Sequence, residues 1–126
     1  MATRVSVVVA ACASALVGAY APGANAQDSS QRGKQAVEVC LACHTLDKSN
    51  GLGPSLVGVV GRSAGSIPAF RYSRAMRNAG IVWDEKTLDA YLADPQKVIP
   101  GNAMPFAGIP DRQERAEVIK YLKTLK

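Results

Sequence analysis

The sequence predicts a small all-α domain interrupted by two long ordered loops, and three observations carry that expectation. No segment alternates apolar and polar residues as a half-buried strand does. Two stretches place an aspartate cap directly ahead of apolar residues at helical spacing. Two other runs are so dense in glycine and proline that neither helix nor strand is expected in them.

In chain order, Ser29 or Ser30 caps a first helix running to about Cys40, with Ala36, Val37 and Cys40 on one side. From Leu46 to Pro68 the chain is punctuated by Gly51, Gly53, Pro54, Gly58, Gly61 and Gly65, with Leu52, Leu56 and Val59 as apolar anchors. Ser73 to Asn78 forms a short helix closed by Gly80. Asp84 caps a helix through Ala93, turns Leu88, Tyr91 and Leu92 inward, and Pro95 stops it. The second irregular run, DPQKVIPGNAMPFAGIP, follows. Asp111 and Glu114 then make a capping box, ahead of an apolar stripe of Ala116, Val118, Ile119, Leu122 and Leu125. Lys120, Lys123 and Lys126 favour the negative end of that helix dipole. Long ordered loops in a small domain are usually functional or wrapped on something.

The 126 residues leave room for one domain. Residues 1–26 read as a signal peptide that is removed: a basic start at Arg4, an uncharged Val- and Ala-rich run from Val5 to Gly18, and the small-residue site Ala24-Asn25-Ala26 before Gln27. The alternative is a retained anchor, but the apolar run is shorter than the roughly 20 residues a spanning helix needs. Val9-Ala10-Ala11-Cys12 is a weak lipoprotein-like box, since few apolar residues precede it. The expected domain is 27–126, exported to the periplasm of a bacterium.

Export sets the cysteine arithmetic. Cys12 leaves with the leader, so Cys40 and Cys43 are the two thiols of the domain. In an oxidising compartment such a close pair is expected to bond or to be used. Stapling is a poor reason for it, because a bridge across two residues closes almost no loop. A domain of about 100 residues buries only about two-thirds of its unfolded surface, so an apolar cofactor would supply core that the side chains do not. Without Arg4 the charge is +4, from 14 basic and 10 acidic residues. There is no block of like charge and no basic–aromatic ladder, so nucleic acid is not an expected partner.

Residues 40–44 read CLACH and contain the one histidine, His44. A thioredoxin-like dithiol needs a βαβ setting, which is missing. A structural zinc site needs four ligands, and three are offered here. Covalent haem attachment is what C-x-x-C-H signals directly. Two thiols about one helical turn apart can reach the two vinyl groups on one porphyrin edge, and the next residue then lies beneath the ring. No second histidine exists for the other face of the iron, which leaves Met76 and Met104. Met76 is most simply a crevice or core residue. Met104, in a loop stiffened by Pro100 and Pro105, is the favoured ligand. A thioether raises the potential, and a six-coordinate iron leaves no vacancy for oxygen or peroxide.

The runs VCLACHT, GLGPSLVGVVGR, NAGIVWDEKTLDAYLADPQKVIPGNAMPFAGI and RAEVIKYLKTLK together resemble the class I c-type cytochromes, of the mitochondrial and photosynthetic-bacterial soluble type. The resemblance implies a few helices and long loops wrapped around one covalently bound haem c, with the first and last helices crossing. It implies thioethers at Cys40 and Cys43 and iron ligation by His44 and Met104. Pro54 would offer its carbonyl to the far nitrogen of His44. Arg62, Tyr72 and Trp83 match positions that hydrogen-bond the haem propionates. Tyr91 matches a residue near the methionine sulfur, and Phe106 one that shields the haem edge.

Several positions depart from that pattern. Ala36 stands where the family usually has an aromatic, Met76 where mitochondrial relatives have Asn, and Asn102 in place of Thr. Val39, Gln96, Ala103, Pro110 and Asp111 replace lysines around the haem edge, while Lys97 remains. Steering toward acidic partners should therefore be weaker than in those relatives.

The function expected is a soluble, monomeric electron carrier, not an enzyme. It would serve a donor such as a quinol–cytochrome c reductase and an acceptor such as an oxidase or reaction centre, without stable membrane insertion. Two other readings are a haem-based sensor or peroxidase with a displaced methionine, and a dedicated component of one dehydrogenase system. The former lacks a second histidine for acid–base work.

Overall fold

The computed structural model describes residues 24–126, so the expected leader lies almost wholly outside the described residues. The elements are α1 (Ala24–Ala36), a 3-10 helix (Val37–Ala42), α2 (Arg74–Arg77), α3 (Glu85–Ala93), α4 (Pro95–Val98) and α5 (Arg112–Leu122). Among the described residues no strand forms, and β pairing is confined to one isolated antiparallel bridge, Ser63 with Val82. The expected all-α class holds.

The first helix starts earlier than its serine signals indicate, at Ala24, with Ser29 and Ser30 inside it. Nothing in ANAQDSSQ breaks a helix, and an ion pair from Arg32 to Asp28 one turn away supports it. It also ends differently. The α-helix stops at Ala36 without a capping side chain and tightens into the 3-10 segment, closed by the Cys43 N–H on the Cys40 carbonyl at 3.1 Å. At three residues per turn, side chains three apart eclipse one another, so Cys40 and Cys43 fall on the same side.

The glycine-rich run from 46 to 68 is irregular, as expected, but is bound edge-on to residues 81–83. The Ala64 N–H donates to Ile81 O, Trp83 N–H to Arg62 O and Gly61 N–H to Trp83 O, at 2.8, 2.9 and 2.7 Å. Val59 is buried and Leu56 half-buried, whereas Leu52 is 84 % exposed and anchors nothing. Ser73 caps α2 by accepting from Met76 N–H, and Gly80 beyond it takes a positive φ of 64°.

Asp84 and Thr87 exchange both bonds of a capping box at the start of α3. At α5 Asp111 accepts from Glu114 N–H at 2.7 Å. Pro95 ends α3 but also opens α4, a single turn in the stretch expected to be wholly irregular. Asp94 caps that turn, and a proline at its first position needs no N–H partner. In α5 Val118, Ile119 and Leu122 face inward as expected, but Ala116 is exposed and Arg115 is buried.

Helices α1 and α5 cross, as the family resemblance implies. The approach is set by Gly33, where an added Cβ would lie 2.6 Å from the Glu117 carbonyl oxygen. Val37 and Val118, both fully buried, help fill the core formed with Val59, Trp83, Leu88, Tyr91, Leu92, Ile99 and Ile109. Each such side chain is worth about 1.5–3 kcal/mol on burial. This core is the wall against which Cys40 and Met104 pack.

Candidate functional site

The CLACH segment lies at the exit of the 3-10 helix, where His44 N–H donates back to Cys40 O at 2.9 Å. The imidazole Nδ1 of His44 is 2.7 Å from the carbonyl oxygen of Pro54. A carbonyl only accepts, so Nδ1 carries the proton and Nε2 presents a lone pair. The loop that delivers this carbonyl is itself ordered. Ser55 N–H donates to Asn50 Oδ1, Gly53 N–H to Cys43 O and Leu56 N–H to Thr45 O, at 3.1, 2.8 and 3.0 Å. Gly53 lies flat against the ring: a Cβ there would be 2.6 Å from Cε1 and 2.7 Å from Nδ1 of His44. Cys40 and Cys43 are free thiols, both half-buried, and burial pushes the Cys40 thiol above its ordinary value.

Met104 is half-buried on the loop between α4 and α5. Its N–H donates to Oδ1 of Asn102 at 2.9 Å, and its sulfur lies 3.9 Å from the Tyr91 hydroxyl. Burial pushes the Tyr91 phenol up to about 12, so it stays a neutral donor in ordinary conditions. The Tyr91 ring packs against Trp83 with centroids 4.8 Å apart, and both are buried. Phe106 is half-buried against the same core, and its N–H bonds Met104 O at 2.9 Å. Met76 also packs there from α2, the crevice position its sequence context suggests.

Arg62 reaches across the glycine-rich loop and donates to Val57 O and Ser55 O at 3.0 and 2.9 Å. Burial lowers its pKa and raises that of Tyr72, and the two lie close enough that each partly offsets the other's shift. Among the described residues no carboxylate lies within ion-pair distance of Arg62. Tyr72 packs edge-on to Phe70, with ring centroids 4.8 Å apart.

Gly53 and Arg115 support the site without a signal that marks them for it in the sequence, and Asn102, a departure from the family pattern, does more than that departure implies. Asn102 carries a buried hydrogen-bond hub rather than a surface polar group. Its signal was an asparagine in a Pro-Gly-Asn turn, a residue that readily bonds nearby backbone. In the sequence Gly53 is loop punctuation, although its contact with the ring is what requires glycine. Arg115 lies within an apolar helical pattern, yet it donates to Asp89 Oδ1, Ile109 O and Pro110 O at 2.8, 2.8 and 2.9 Å. Those bonds hold down the far end of the Met104 loop.

The residues fit a covalently held haem. Two unpaired thiols on one side of a 3-10 turn, an imidazole with Nε2 free, a thioether beneath a phenol and an uncompensated half-buried guanidinium are the donor set such a group needs. The family model of cytochrome c matches residues 30–126. Cytochrome c2 iso-2 of Magnetospirillum molischianum is 53% identical over 89 residues, covering 70% of this chain and 92% of that protein. Cytochrome c2 of Rhodomicrobium vannielii is 44% identical over 115 residues, covering 87% and 92%. The solved structure of cytochrome cH from Methylobacterium extorquens superposes with a TM-score of 0.73 at 42% identity, covering 75% of this chain and 97% of that one. A histidine-bearing C-x-x-C segment, a helical fold closed by crossing terminal helices and these likenesses converge: the chain belongs to the cytochrome c family, and is a single-haem electron carrier, not an enzyme, with one covalently attached haem c.

Proposed function

We propose that Cys40 and Cys43 would hold the haem, that His44 Nε2 and Met104 Sδ would ligate its iron, and that the protein shuttles single electrons in the bacterial periplasm. The observation that carries this reading is the His44–Pro54 bond, which leaves Nε2 as the one ring nitrogen able to ligate. Cys40 and Cys43 would hold the group through thioethers, joined by addition of each S–H across a vinyl double bond, which needs no oxidant. The bound group supplies a one-electron ferric–ferrous couple. Pro54 fixes the plane and tautomer of His44 through its carbonyl. Tyr91 donates toward the Met104 sulfur and so moderates its donor strength. Arg62, with Tyr72 and Trp83, would hydrogen-bond the propionates, whose buried charge would otherwise be costly. Phe106 screens the haem edge.

The leader-like residues 1–26 support export, and among the described residues no helix is long and apolar enough to cross a membrane. The partners are redox complexes, with a quinol–cytochrome c reductase as donor and an oxidase or reaction centre as acceptor, met by a monomer. Near the cysteine pair Val39, Leu41 and Leu52 are exposed, which supports docking that leans little on charge.

Absorption spectra of the purified holoprotein, oxidised and reduced, with and without carbon monoxide, test the ligand set. Expected are c-type bands, a weak sulfur–iron charge-transfer band in the ferric state, and no carbon monoxide binding. Ready binding of carbon monoxide by fresh reduced protein would remove Met104 as a ligand.

A further inference from the structure

We propose that Gln96 and Asn102 together form a latch that keeps Met104 on the iron by barring the loop from opening to outside ligands. The inference rests on the reading of Met104 as an axial ligand.

Asn102 is 6 % exposed, and its amide is used from three sides. Nδ2 donates to Pro95 O and to Ile99 O, both at 2.9 Å, and Oδ1 accepts the Met104 N–H at 2.9 Å. One buried side chain therefore ties both ends of α4 to the ligand residue. Gln96, on the exposed side of α4, closes the same loop from outside. Its Nε2 donates to Asn102 O at 3.1 Å, and its Oε1 accepts Gly101 N–H at 3.3 Å. Asn102 N–H adds a bond to Ile99 O at 3.1 Å. Residues 101–104 are thus held between a buried amide and a surface amide.

This arrangement sets what it takes for the sulfur to leave. Met104 lies between exposed Ala103 and exposed Pro105, so an outward swing of residues 102–105 is the open route by which the sulfur would leave. That swing withdraws the Asn102 amide and leaves the carbonyls of Pro95 and Ile99 without it in a water-poor interior, the costly case for a hydrogen bond. The far end of the loop is pinned separately, by Ile109 N–H on Leu92 O at 2.7 Å and by Arg115. Opening therefore starts at the Gln96–Asn102 end. Both residues are departures from the family pattern, and the structure makes them parts of one device. An external ligand can enter only as fast, and as far, as the latch opens.

The test is imidazole entry into the ferric holoprotein, followed by loss of the sulfur–iron band at saturating imidazole, where departure of Met104 limits the rate. Gln96→Ala should raise the limiting rate several-fold. Asn102→Ala should raise it by about tenfold or more, since each lost buried bond is worth about one decade or less. The double variant should depart from the product of the two effects, because both side chains restrain the same residues, 101–104. Gln96 is exposed, so Q96A carries the test alone should N102A not accumulate as holoprotein. Asp84→Ala, which removes a helix cap away from the loop, should lower the unfolding midpoint and leave the limiting rate unchanged. If Q96A exchanges at the wild-type rate, or D84A speeds exchange as much as Q96A does, the latch is overturned while Met104 stands as ligand. If the wild-type ferric protein has no sulfur–iron band, the ligand reading itself fails and takes the latch with it.

Discussion

The His44 imidazole and the Pro54 carbonyl oxygen lie 2.7 Å apart, with Gly53 pressed against the face of the same ring. The ring is thereby held by hydrogen bond and by contact from one short turn. Gly53→Ala would place a methyl group 2.6 Å from the imidazole, so either the ring or the turn has to move. We expect a loss of about 1–3 kcal/mol in stability, typical of overpacking. The Nδ1 proton signal of His44 should also shift or broaden. Denaturant titration and proton NMR of the holoprotein check both.

Tyr91 bears on the sulfur rather than on the histidine. Donation from its hydroxyl, 3.9 Å from Met104 Sδ, withdraws electron density and favours the less positive iron. Tyr91→Phe keeps the packing on Trp83 but removes the donor. The midpoint potential should fall by roughly 20–40 mV, the equivalent of a weak hydrogen bond. Potentiometric titration reads this directly, and a rise in potential would contradict the assigned role.

Arg115 closes the far end of the Met104 loop with bonds to Asp89, Ile109 and Pro110. Its side chain is 10% exposed against 41% for Asp89, so the pair is only partly desolvated. Arg115→Met should cost about 2–3 kcal/mol, below the value for a fully buried pair, because water reaches the stranded carboxylate. Arg115→Lys should recover only part of that, since an ammonium cannot reproduce the planar fork. Unfolding in guanidinium chloride distinguishes the two.

Acid sensitivity follows from the cap of α3. Bonds from the Thr87 backbone N–H, and then from its side chain, hold the Asp84 carboxyl below its ordinary value of 3.8. A lowered folded-state pKa gives stability that is present above the unfolded value and lost as pH falls through the folded one. The loss should therefore begin near pH 4 and deepen below it. Asp84→Asn can still cap the helix but does not titrate there. Melting temperatures from pH 5 to 2 should fall less steeply for D84N than for the wild type.

Leu52 offers a test of docking. At 84 % exposure it tolerates lysine without loss of packing. Leu52→Lys should speed electron transfer with an acidic partner protein at low salt and steepen its decline with ionic strength. Equal salt dependence in wild type and variant would place docking elsewhere.

The fold class, the caps at Asp84 and Asp111, the inward residues of α3 and the C-x-x-C-H attachment signal were all determined by the sequence. Each depends on local spacing or on one residue's own chemistry, and these do not change when the chain folds. The resemblance to class I cytochromes added the roles proposed for Pro54 and Tyr91 and agreed with the choice of Met104 over Met76. What spacing could not show was which polar residues go inside. Arg115 occupies an apolar helical register, and it is buried because three acceptors from α3 and from the loop meet there. Leu52 reads as an anchor yet faces outward, because its turn closes on Cys43 through backbone bonds that leave the side chain outside. Gln96 and Asn102 are ordinary loop residues until α4 and the Met104 loop are brought side by side. Their partners are backbone groups, which carry no residue signature, so only the tertiary structure decided that they bear on the Met104 loop.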